Sequence, residues 1–405
     1  MNTLDYKTET RLQVSINLPI SKSVLNRELI LAASSGTLLL SIATDGLADD
    51  SLMLLNALKS QEKTINIGHA GTAMRFLTAH FASVEGEHLL QGSSRMHERP
   101  IKILVDALRE LGADIRYAGK EGFPPLEIRG KKLKGGKVSI SGAVSSQYIS
   151  ALLLCGSSFK NGLDLELLPP VTSRPYIGLT LAAMKRAGII YSLEGNRIRV
   201  EPSEIICTAM SMERDWSAAA FAYGLVSQGC CDELILPGLD VKTWQGDSII
   251  GQLFVMLGVE TGQSEIGVHL SKKTKAPSSF SRDMRDCPDL AQAIVFTCAA
   301  LGISCNLWGL QTLPLKETDR IRAMVDCLKI VGIHAEYGKD FIRFQGHMNL
   351  EKNLHFKTYG DHRMAMSLAL WAPVLHQMQL DDPDVVSKSF PSFWEEVKKL
   401  GLSIH

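Results

Sequence analysis

Val105-Asp-Ala-Leu-Arg-Glu-Leu-Gly112-Ala-Asp-Ile is the first clear copy of a pattern that recurs along the chain. In each copy an amphipathic stretch with helical spacing of its apolar residues ends at a glycine, and a short strand follows. The glycine stands where a helix needs a left-handed C-terminal residue. Later copies end, roughly 70 residues apart, at Gly188, Gly258, Gly332 and Gly401. A fixed period of this kind predicts a repeat architecture.

Strand pairs follow several of these helices and close on turns that contain glycine or asparagine. The pairs are residues 114–117 with 126–129, 191–193 with 198–200, and 334–337 with 341–344. Such turns are typical of β-hairpins. A weaker copy around Leu55 to Ile67, in which no glycine follows the helix, brings the number of helix-plus-hairpin units to six. Six units in 405 residues predict an α/β protein of two domains with three units each.

The composition excludes several classes of protein. With 43 basic and 43 acidic residues and 45% hydrophobic residues, the chain is a globular protein rather than a disordered one. The balanced charge argues against a nucleic acid or an anionic membrane as partner. The longest apolar stretch, residues 364–375, is shorter than the roughly 20 residues that cross a bilayer, and the N-terminus does not resemble a signal peptide.

The eight cysteines carry no metal-binding pattern. No Cys-x-x-Cys pair and no zinc spacing occur, and most neighbours of the cysteines are apolar. We therefore expect buried, reduced thiols in a cytoplasmic protein and no bound metal.

Basic and hydroxyl residues stand at the starts of many predicted helices, although the helix dipole favours acids there. The stretches are Ser21–Arg27, Gly68–Arg75, Arg95–Pro100, Ser145–Tyr148, Ser173–Tyr176, Leu315–Arg322, Tyr359–Met364 and Lys388–Pro391. Taken singly, each stretch can be explained as a helix cap or a solvated charge cluster. A shared function explains all of them together, because departures from local rules are expected at functional sites.

Convergence of these helix N-termini would create a site for a small, multiply charged anion. Arginines bind phosphate and carboxylate groups bidentately, and free backbone amides at helix starts add to that attraction. Glu317 and Asp289 could supply acid or base chemistry there. For Asp289, the cap of the following helix is an equally open interpretation.

Seven motifs occur in an order that closely resembles the 5-enolpyruvylshikimate-3-phosphate synthase family of enolpyruvyl transferases, from about residue 12 to 395. The motifs are residues 21–27, 70–75, 95–100, 145–148, 173–176, 316–320 and 361–366. The resemblance implies a two-domain inside-out α/β barrel, in which each domain contains three βαβαββ units with pseudo-threefold symmetry. It places one domain at residues 20–214, binding mainly shikimate 3-phosphate. Residues 1–19 and 215–405 would form the other domain, binding mainly phosphoenolpyruvate, with the active site in the cleft between the domains.

The resemblance also implies the reaction. The family transfers the enolpyruvyl group of phosphoenolpyruvate to the 5-hydroxyl of shikimate 3-phosphate and releases phosphate, through a tetrahedral intermediate, in aromatic amino-acid biosynthesis. The expected partners are these two small molecules, without a cofactor, nucleic acid or membrane, and the expected state is a cytoplasmic monomer.

Individual residues take roles from the same resemblance. For shikimate 3-phosphate the implied residues are Lys22, Ser23, Arg27, Ser145, Ser146, Gln147, Ser173, Tyr176, Asp289 and Lys316. For phosphoenolpyruvate they are Lys22, Gly71, Arg99, Gln147, Arg320, Arg363 and Lys388, with Arg75 supporting the pocket. Asp289 would take the 5-hydroxyl proton. Glu317 and Lys22 are both candidates for protonating the methylene group and assisting phosphate loss.

Four positions depart from the family pattern, and two alternatives stay open. Ile20, His69, Phe76 and Thr312 replace residues that are common in the family, which leaves the shape of the phosphoenolpyruvate pocket and glyphosate sensitivity undecided. The sister enzyme that acts on UDP-N-acetylglucosamine usually carries a reactive cysteine in its first domain, but no cysteine precedes Cys155 here. A non-catalytic phosphosugar-binding homologue would be expected to have lost its acid and base groups.

Overall fold

The computed structural model describes residues 2–9, 12–36, 42–143, 145–207, 209–273, 278–349 and 354–405. The chain divides into two compact units. Unit 1 contains Met1–Ser21, Gly46–Ala48 and Glu213–His405, and unit 2 contains Lys22–Asp45 and Asp49–Met212. In the described ranges, no helix is long and apolar enough to cross a membrane.

The chain begins with two strands of unit 1, passes through unit 2 and then returns to unit 1. The first two strands are β1 Asn2–Tyr6 and β2 Gln13–Ser15. The helices of unit 2 are α1 Lys22–Ser34, α2 Asp49–Lys59, α3 Gly71–Ser83, α4 Lys102–Glu110, α5 Ser146–Gly156 and α6 Arg174–Arg186. Its strands are β3 Thr64–Asn66, β4 Gly86–Gln91, β5 Asp114–Tyr117, β6 Leu126–Gly130, β7 Gly136–Ser141, β8 Leu163–Leu168, β9 Tyr191–Glu194 and β10 Arg197–Val200.

The remaining elements complete unit 1. Its helices are α7 Trp216–Gln228, α8 Ile250–Val255, α9 Ala291–Leu301, α10 Arg320–Ile330, α11 His362–Ala369, α12 Ala372–Leu375 and α13 Phe393–Lys398. Its further strands are β11 Glu233–Pro237, β12 Val259–Gln263, β13 Gly267–Lys272, β14 Ser279–Asp283, β15 Ser304–Trp308, β16 Ala335–Tyr337, β17 Phe341–Phe344, β18 Leu354–Phe356, β19 Gln377–Leu380 and β20 Leu402–Ile404.

The described strands form five four-stranded sheets that share one pairing pattern, a parallel pair followed by two antiparallel pairs. In the order β3-β4-β6-β5, the first two strands are parallel and are joined by α3, and the last two form an antiparallel hairpin. The orders β7-β8-β10-β9 and β14-β15-β17-β16 repeat this arrangement. A parallel pair needs a crossover connection, and a helix supplies it in each unit. The predicted α/β fold built from βαβαββ units is confirmed.

Two sheets of unit 1 combine strands that are distant in sequence. Strand β2 pairs in parallel with β11, although all of unit 2 lies between them in the chain. The N-terminal strand β1 lies between β19 and β20 and is antiparallel to both. In each of these two sheets, a strand from the N-terminal segment therefore completes the βαβαββ repeat.

The five glycines that end the predicted helices have positive φ values. These values are 104° at Gly112, 74° at Gly188, 81° at Gly258, 76° at Gly332 and 94° at Gly401. An L-residue with a side chain rarely adopts this conformation, so glycine allows the chain to turn sharply from the helix into the next strand.

The stretch from Leu55 to Ile67 differs from the predicted helix-plus-hairpin unit. Helix α2 is followed by the single strand β3, which pairs in parallel with β4 and so opens the next sheet. Without a left-handed glycine after α2, the chain continues through a polar link from residue 60 to 63. The hairpin predicted for this stretch was wrong.

Three helices form the interior of each unit. Helices α1, α3 and α5 pack against one another in unit 2, and α9 packs against both α7 and α11 in unit 1. Ala291 to Ala299 of α9 are all buried, as expected for a helix that is apolar on every side. The sequence motifs lie at the N-terminal ends of these inner helices and of the helices that surround them.

Candidate active site

The start of α1 in unit 2 is fixed by contacts with α2. The Nζ atom of Lys22 lies 2.9 Å from Oδ2 of Asp50, which is buried in the first turn of α2. One turn after Lys22 in α1, the side-chain oxygen of Asn26 accepts a 2.8 Å hydrogen bond from the hydroxyl of Ser51 in α2. These two contacts hold the ammonium group of Lys22 at the N-terminal end of its helix.

Arg27, one turn further along α1, is buried and held by uncharged groups. Its guanidinium group donates to the hydroxyls of Thr180 at 2.8 Å and Ser150 at 3.1 Å, and to the carbonyls of Ser23 and Tyr176. Burial lowers the pKa of Arg27 to about 10, so the group remains a cation at neutral pH. Within the ranges given above, no carboxylate forms an ion pair with it.

Phe76, one of the departures from the family pattern, lies beside Arg27. The Cζ atom of Arg27 is 5.6 Å from the centre of the buried Phe76 ring. This distance is typical of a cation–π contact. The aromatic ring therefore packs against an arginine that the sequence assigns to substrate binding.

The start of α5 carries the Ser145-Ser146-Gln147 motif. Ser145 is the N-cap residue, and its hydroxyl accepts a 3.2 Å hydrogen bond from the backbone amide of Gln147. Ser146 begins the helix. The side chain of Gln147 donates to the hydroxyl of Thr72 at 3.0 Å, which joins the N-terminal ends of α5 and α3.

Ser173, which precedes α6, has an unusual backbone conformation. Its φ of 53° lies in the left-handed region, and its side chain makes no capping hydrogen bond to the helix. Such conformations cost free energy in residues other than glycine and cluster at functional sites. Tyr176, in the first turn of α6, contributes its carbonyl oxygen to the contacts of Arg27.

Arg75 and Arg99 are two further buried cations of unit 2. Arg75 donates to the carbonyl of Pro100 at 2.9 Å and to that of Gly71 at 3.3 Å. Arg99 lies directly against Gly71, where an added Cβ would be only 2.6 Å from its Nη1 atom. Its Nε atom is buried and has no hydrogen-bond partner in the part of the chain that the structure describes. A buried cation of this kind favours an anionic ligand.

In unit 1, three cations surround Asp289. Its Oδ1 atom lies 3.2 Å from Nζ of Lys316 and 3.1 Å from Nη1 of Arg320, and its Oδ2 atom lies 3.4 Å from Nη2 of Arg363. The N-cap residue of the following helix α9 is Leu290 rather than Asp289. The interpretation of Asp289 as the cap of α9 is therefore wrong.

Arg320 connects Asp289 to two further carboxylates. It binds Asp361 through Nε at 2.7 Å and Nη2 at 3.2 Å, and it binds Glu317 at 3.0 Å. The other oxygen of Glu317 accepts a 2.8 Å hydrogen bond from Lys388. Asp361 also caps α11 by accepting from the backbone amide of Arg363. We call these seven residues the unit 1 cluster: Asp289, Lys316, Glu317, Arg320, Asp361, Arg363 and Lys388.

Opposing forces act on the protonation of this cluster. Burial alone would raise the pKa of Asp289, but Lys316, Arg363 and Arg320 outweigh it and hold that pKa well below its usual range. Burial lowers the pKa of Lys316, and Asp289 acts in the opposite direction. Asp289 is therefore ionised at neutral pH. It can accept a proton once a ligand takes over part of the positive charge around it.

Sequence reasoning missed Asp50 and Asp247. Asp247 lies in the turn Gly246–Ile249, is 3% exposed, and accepts a short hydrogen bond from the hydroxyl of Ser217 in α7. Asp289 and Arg363 act on its charge. No basic or glycine-rich motif marks Asp247, so only the fold reveals its position. Asp50 belongs to a pair of acids at the start of α2, which is common at helix N-termini and gave no signal of its own.

The described residues contain no group of three or more His, Cys, Asp or Glu side chains that could hold a metal ion. Two other departures from the family pattern differ in their surroundings. His69 shares a 2.9 Å hydrogen bond with Ser93. Thr312 stands before the turn Leu313–Leu315, and its buried hydroxyl has no hydrogen-bond partner among the described residues.

Comparisons with known proteins agree on one family. The family described as EPSP synthase (3-phosphoshikimate 1-carboxyvinyltransferase) matches residues 50–397. A 3-phosphoshikimate 1-carboxyvinyltransferase of Bacteroides fragilis is 43% identical over 399 residues, which cover 98% of this chain and 97% of that protein. The protein of the same name from Haemophilus influenzae is 36% identical and covers 96% of both chains.

A solved structure supports the fold independently. The structure of EPSP synthase from Acinetobacter baumannii superimposes with a TM-score of 0.77 at 21% identity, covering 100% of this chain and 99% of that one. The seven motifs, the repeated βαβαββ topology and these similarities lead to the same conclusion: the chain belongs to the EPSP synthase family.

Proposed function

We propose how this chain carries out the reaction of its family. The chain is a 3-phosphoshikimate 1-carboxyvinyltransferase of aromatic amino-acid biosynthesis, which moves the enolpyruvyl group of phosphoenolpyruvate to the 5-hydroxyl of shikimate 3-phosphate. The unit 1 cluster carries the chemical argument. It places one ionised carboxylate within 3.4 Å of three cations, which suits both anion binding and proton transfer.

Shikimate 3-phosphate is bound mainly by unit 2 in this proposal. The hydroxyls of Ser23, Ser145, Ser146 and Ser173 stand at helix starts, where hydroxyl and backbone N–H groups can donate to phosphate oxygens. Arg27, held by its hydroxyl and carbonyl contacts, supplies a fixed positive charge. The proposed set for this substrate is Lys22, Ser23, Arg27, Ser145, Ser146, Gln147, Ser173, Tyr176, Asp289 and Lys316.

Phosphoenolpyruvate is bound mainly by arginine and lysine side chains in this proposal. Arg99 has a buried Nε atom, and Arg320 and Arg363 can exchange part of their contacts with carboxylates for contacts with the ligand. Arginine suits this role because its planar fork matches carboxylate and phosphate groups. The proposed set is Lys22, Gly71, Arg99, Gln147, Arg320, Arg363 and Lys388, with Arg75 orienting Gly71 and the Pro100 carbonyl.

The addition step moves two protons. One leaves the attacking 5-hydroxyl, and one is added to C3 of phosphoenolpyruvate. Asp289 accepts the proton of the 5-hydroxyl as that oxygen attacks C2 of phosphoenolpyruvate, and either Lys22 or Glu317 in its protonated form donates a proton to C3. Elimination then breaks the bond between C2 and the phosphate oxygen: the C3 proton returns to the group that donated it, the phosphate takes up the proton held by Asp289, and the enolpyruvyl ether is formed. Ligand anions near Lys316, Arg320 and Arg363 weaken the stabilisation of ionised Asp289, which makes it a stronger base when the substrates are present.

We also propose the domain boundaries, the location and the oligomeric state. Residues 20–214 form the domain that binds mainly shikimate 3-phosphate, and residues 1–19 and 215–405 form the other. Eight free cysteines support a reducing, cytoplasmic environment. The proposed sites draw on one chain only, which is compatible with a monomer, and sedimentation equilibrium measures this state.

Steady-state kinetics of phosphate release test the assignment of residues to substrates. Arg363→Ala should raise KM for phosphoenolpyruvate at least about 10-fold, because a charge-assisted hydrogen-bond partner is lost, and it should change KM for shikimate 3-phosphate less. Arg27→Ala should show the opposite selectivity. Equal effects of both variants on both substrates would contradict the assignment. Phosphate release from phosphoenolpyruvate with UDP-N-acetylglucosamine as acceptor, but not with shikimate 3-phosphate, would identify the sister activity.

A further inference from the structure

We propose that Tyr148 is a positioning residue for Arg99. Its hydroxyl group holds the carbonyl of Pro100, the residue after Arg99, and so fixes the orientation of the Arg99 guanidinium toward an anionic ligand. This inference rests on the proposed binding of phosphoenolpyruvate by Arg99. Tyr148 is part of a sequence motif, but neither proposed substrate set includes it. It acts through the backbone next to Arg99 rather than by touching the substrate.

The side chain of Tyr148 is anchored inside unit 2. Tyr148 lies in the first turn of α5, is 3% exposed, and donates from its backbone amide to the carbonyl of Ser145 at 3.2 Å. Its hydroxyl donates a 2.5 Å hydrogen bond to the carbonyl of Pro100. A buried tyrosine hydroxyl usually finds such a partner. The side chain therefore connects α5 to the segment that carries Arg99.

Arg75 of α3 binds the same carbonyl from a second direction. Its Nη2 atom donates to the carbonyl of Pro100 at 2.9 Å, and its Nη1 atom donates to that of Gly71 at 3.3 Å. Gly71 is the residue against which the guanidinium of Arg99 lies. Arg75 thus joins the backbone beneath that guanidinium to the backbone that follows Arg99, and Tyr148 adds a further fixed point.

The backbone on both sides of this carbonyl is also held. The amide of Arg99 donates to the carbonyl of Met96 at 3.1 Å, and the amide of Ile101 donates to that of Gly122 at 2.9 Å. Arg99 has the extended conformation that is favoured before a proline, with φ −89° and ψ 121°. Pro100 has no N–H group, so its carbonyl is the backbone group through which side chains can hold it.

The guanidinium of Arg99 depends on this backbone for its orientation. Its buried Nε atom has no hydrogen-bond partner in the described ranges of the chain. Arginine binds a carboxylate or a phosphate through two parallel hydrogen bonds, so a small rotation of its planar fork weakens both. Without the hydroxyl of Tyr148, the carbonyl of Pro100 loses one of the two contacts described above, and the segment that carries Arg99 gains freedom.

Tyr148→Phe removes the hydroxyl group and keeps the ring. We expect KM for phosphoenolpyruvate to rise about 2- to 10-fold, as for one lost hydrogen bond, with KM for shikimate 3-phosphate unchanged. The kcat value should stay close to that of the wild type, because Arg99 binds the substrate and the transition state through the same contacts. Tyr223→Phe is the matched control. It removes the hydroxyl of another buried tyrosine, which shares a 2.8 Å hydrogen bond with Thr261 in β12, and should leave both KM values unchanged.

A disturbance of α5 as a whole would give a different result. Ser145 and Ser146, at the start of the same helix, are assigned to shikimate 3-phosphate, so a general structural effect of Tyr148→Phe should raise KM for that substrate as well. Equal rises for both substrates, or an unchanged KM for phosphoenolpyruvate, would overturn the proposal. If Tyr148→Phe folds poorly, 4-fluorophenylalanine at position 148 fills the space of the hydroxyl without donating, and the same selective rise is expected of it.

A double variant tests whether Tyr148 acts through Arg99. Arg99→Ala alone should raise KM for phosphoenolpyruvate at least about 10-fold, and adding Tyr148→Phe to it should cause no further rise. A further rise as large as the one in the wild-type background would overturn the proposal. If Arg99→Ala leaves KM for phosphoenolpyruvate unchanged, the assignment of that substrate to Arg99 fails, rather than the role of Tyr148 alone.

Discussion

The two units neutralise their buried cations in different ways. In unit 1, Lys316, Arg320, Arg363 and Lys388 are paired with the carboxylates of Asp289, Glu317 and Asp361. In unit 2, Lys22 is paired with Asp50, whereas Arg27 and Arg75 are held by hydroxyls, carbonyls and a thioether. Arg99 forms no ion pair in the described part of that unit.

This difference indicates a division of tasks. When neutral groups hold a cation, no neighbouring carboxylate offsets its charge. Unit 2 therefore presents a positive field that attracts and orients anions. Cations paired with carboxylates attract anions less strongly, but they keep acid and base groups in position. The carboxylates of unit 1 can change protonation when a ligand takes over their cations. A pocket that contained only basic groups would have no carboxylate to take up a proton.

The largest effect is expected from removing the base of unit 1. Asp289→Asn keeps the size of the side chain but not its basicity, so turnover should fall at least about 100-fold. Binding of shikimate 3-phosphate, measured by calorimetry, should persist because most of its proposed contacts lie in unit 2. A variant with near-normal turnover would remove Asp289 from the reaction and would weaken the contrast between the units.

The close approach of Arg99 and Gly71 in unit 2 predicts the next largest effect. Gly71→Ala would place a Cβ atom 2.6 Å from the guanidinium of Arg99, so the arginine must move. We expect KM for phosphoenolpyruvate to rise at least about 10-fold, as for a lost charge-assisted contact. Gly178→Ala in α6 is the control. It meets nothing within 4 Å, and alanine favours a helix interior by up to about 1 kcal/mol. A Gly71→Ala enzyme with unchanged KM would contradict the role of this contact.

Asp247 allows a prediction about stability. Its pKa is raised from 3.8 to about 6 by burial, so its ionisation destabilises the folded state progressively as pH rises from about 4 to 6. A shift of about two pKa units corresponds to at most about 3 kcal/mol. The melting temperature of Asp247→Asn minus that of the wild type should therefore be larger at pH 8 than at pH 4. An identical difference at both pH values would exclude this linkage, and Asp240→Asn, which removes an exposed carboxylate, should show no pH-dependent difference.

A smaller effect is expected beside Arg27. Phe76→Leu keeps an apolar side chain but removes the aromatic face that lies 5.6 Å from the arginine. Cation–π contacts contribute about 0.5–2 kcal/mol, so KM for shikimate 3-phosphate should rise by about 2- to 30-fold. Phe81→Leu, also in α3 but stacked on His88, is the control for general loss of an aromatic ring. Equal changes in both variants would remove any special role of Phe76.

The sequence predicted much of the fold because helical periodicity and helix-ending glycines are local signals. Gly112, Gly188 and the later glycines mark helix ends that the structure confirms through their positive φ values. The placement of β1 and β2 in sheets with β19 and β11 depends on contacts across hundreds of residues. No local pattern encodes those contacts. Only the family resemblance joined residues 1–19 to residues 215–405, and it did not predict which strands β1 and β2 would pair with.

The candidate site was predictable in part for the same reason. Basic residues at helix starts violate a local preference, and that violation is visible in the sequence at Lys22, Arg320 and Arg363. Asp247 and Asp50 violate nothing locally, since an acid in a turn or at a helix start is ordinary. Their importance arises from burial next to other charges, which only the folded chain reveals.

A direct test of the contrast between the units is the titration of Asp289 by carbon-13 NMR of labelled aspartate carboxyls, assigned with Asp289→Asn. Without ligand, its pKa should lie below the usual range for aspartate, because Lys316, Arg320 and Arg363 outweigh its burial. Saturation with inorganic phosphate and shikimate 3-phosphate should raise that pKa, because the ligand anions take over the cations. A pKa that is ordinary without ligand, or that stays unchanged on saturation, would contradict the account of unit 1.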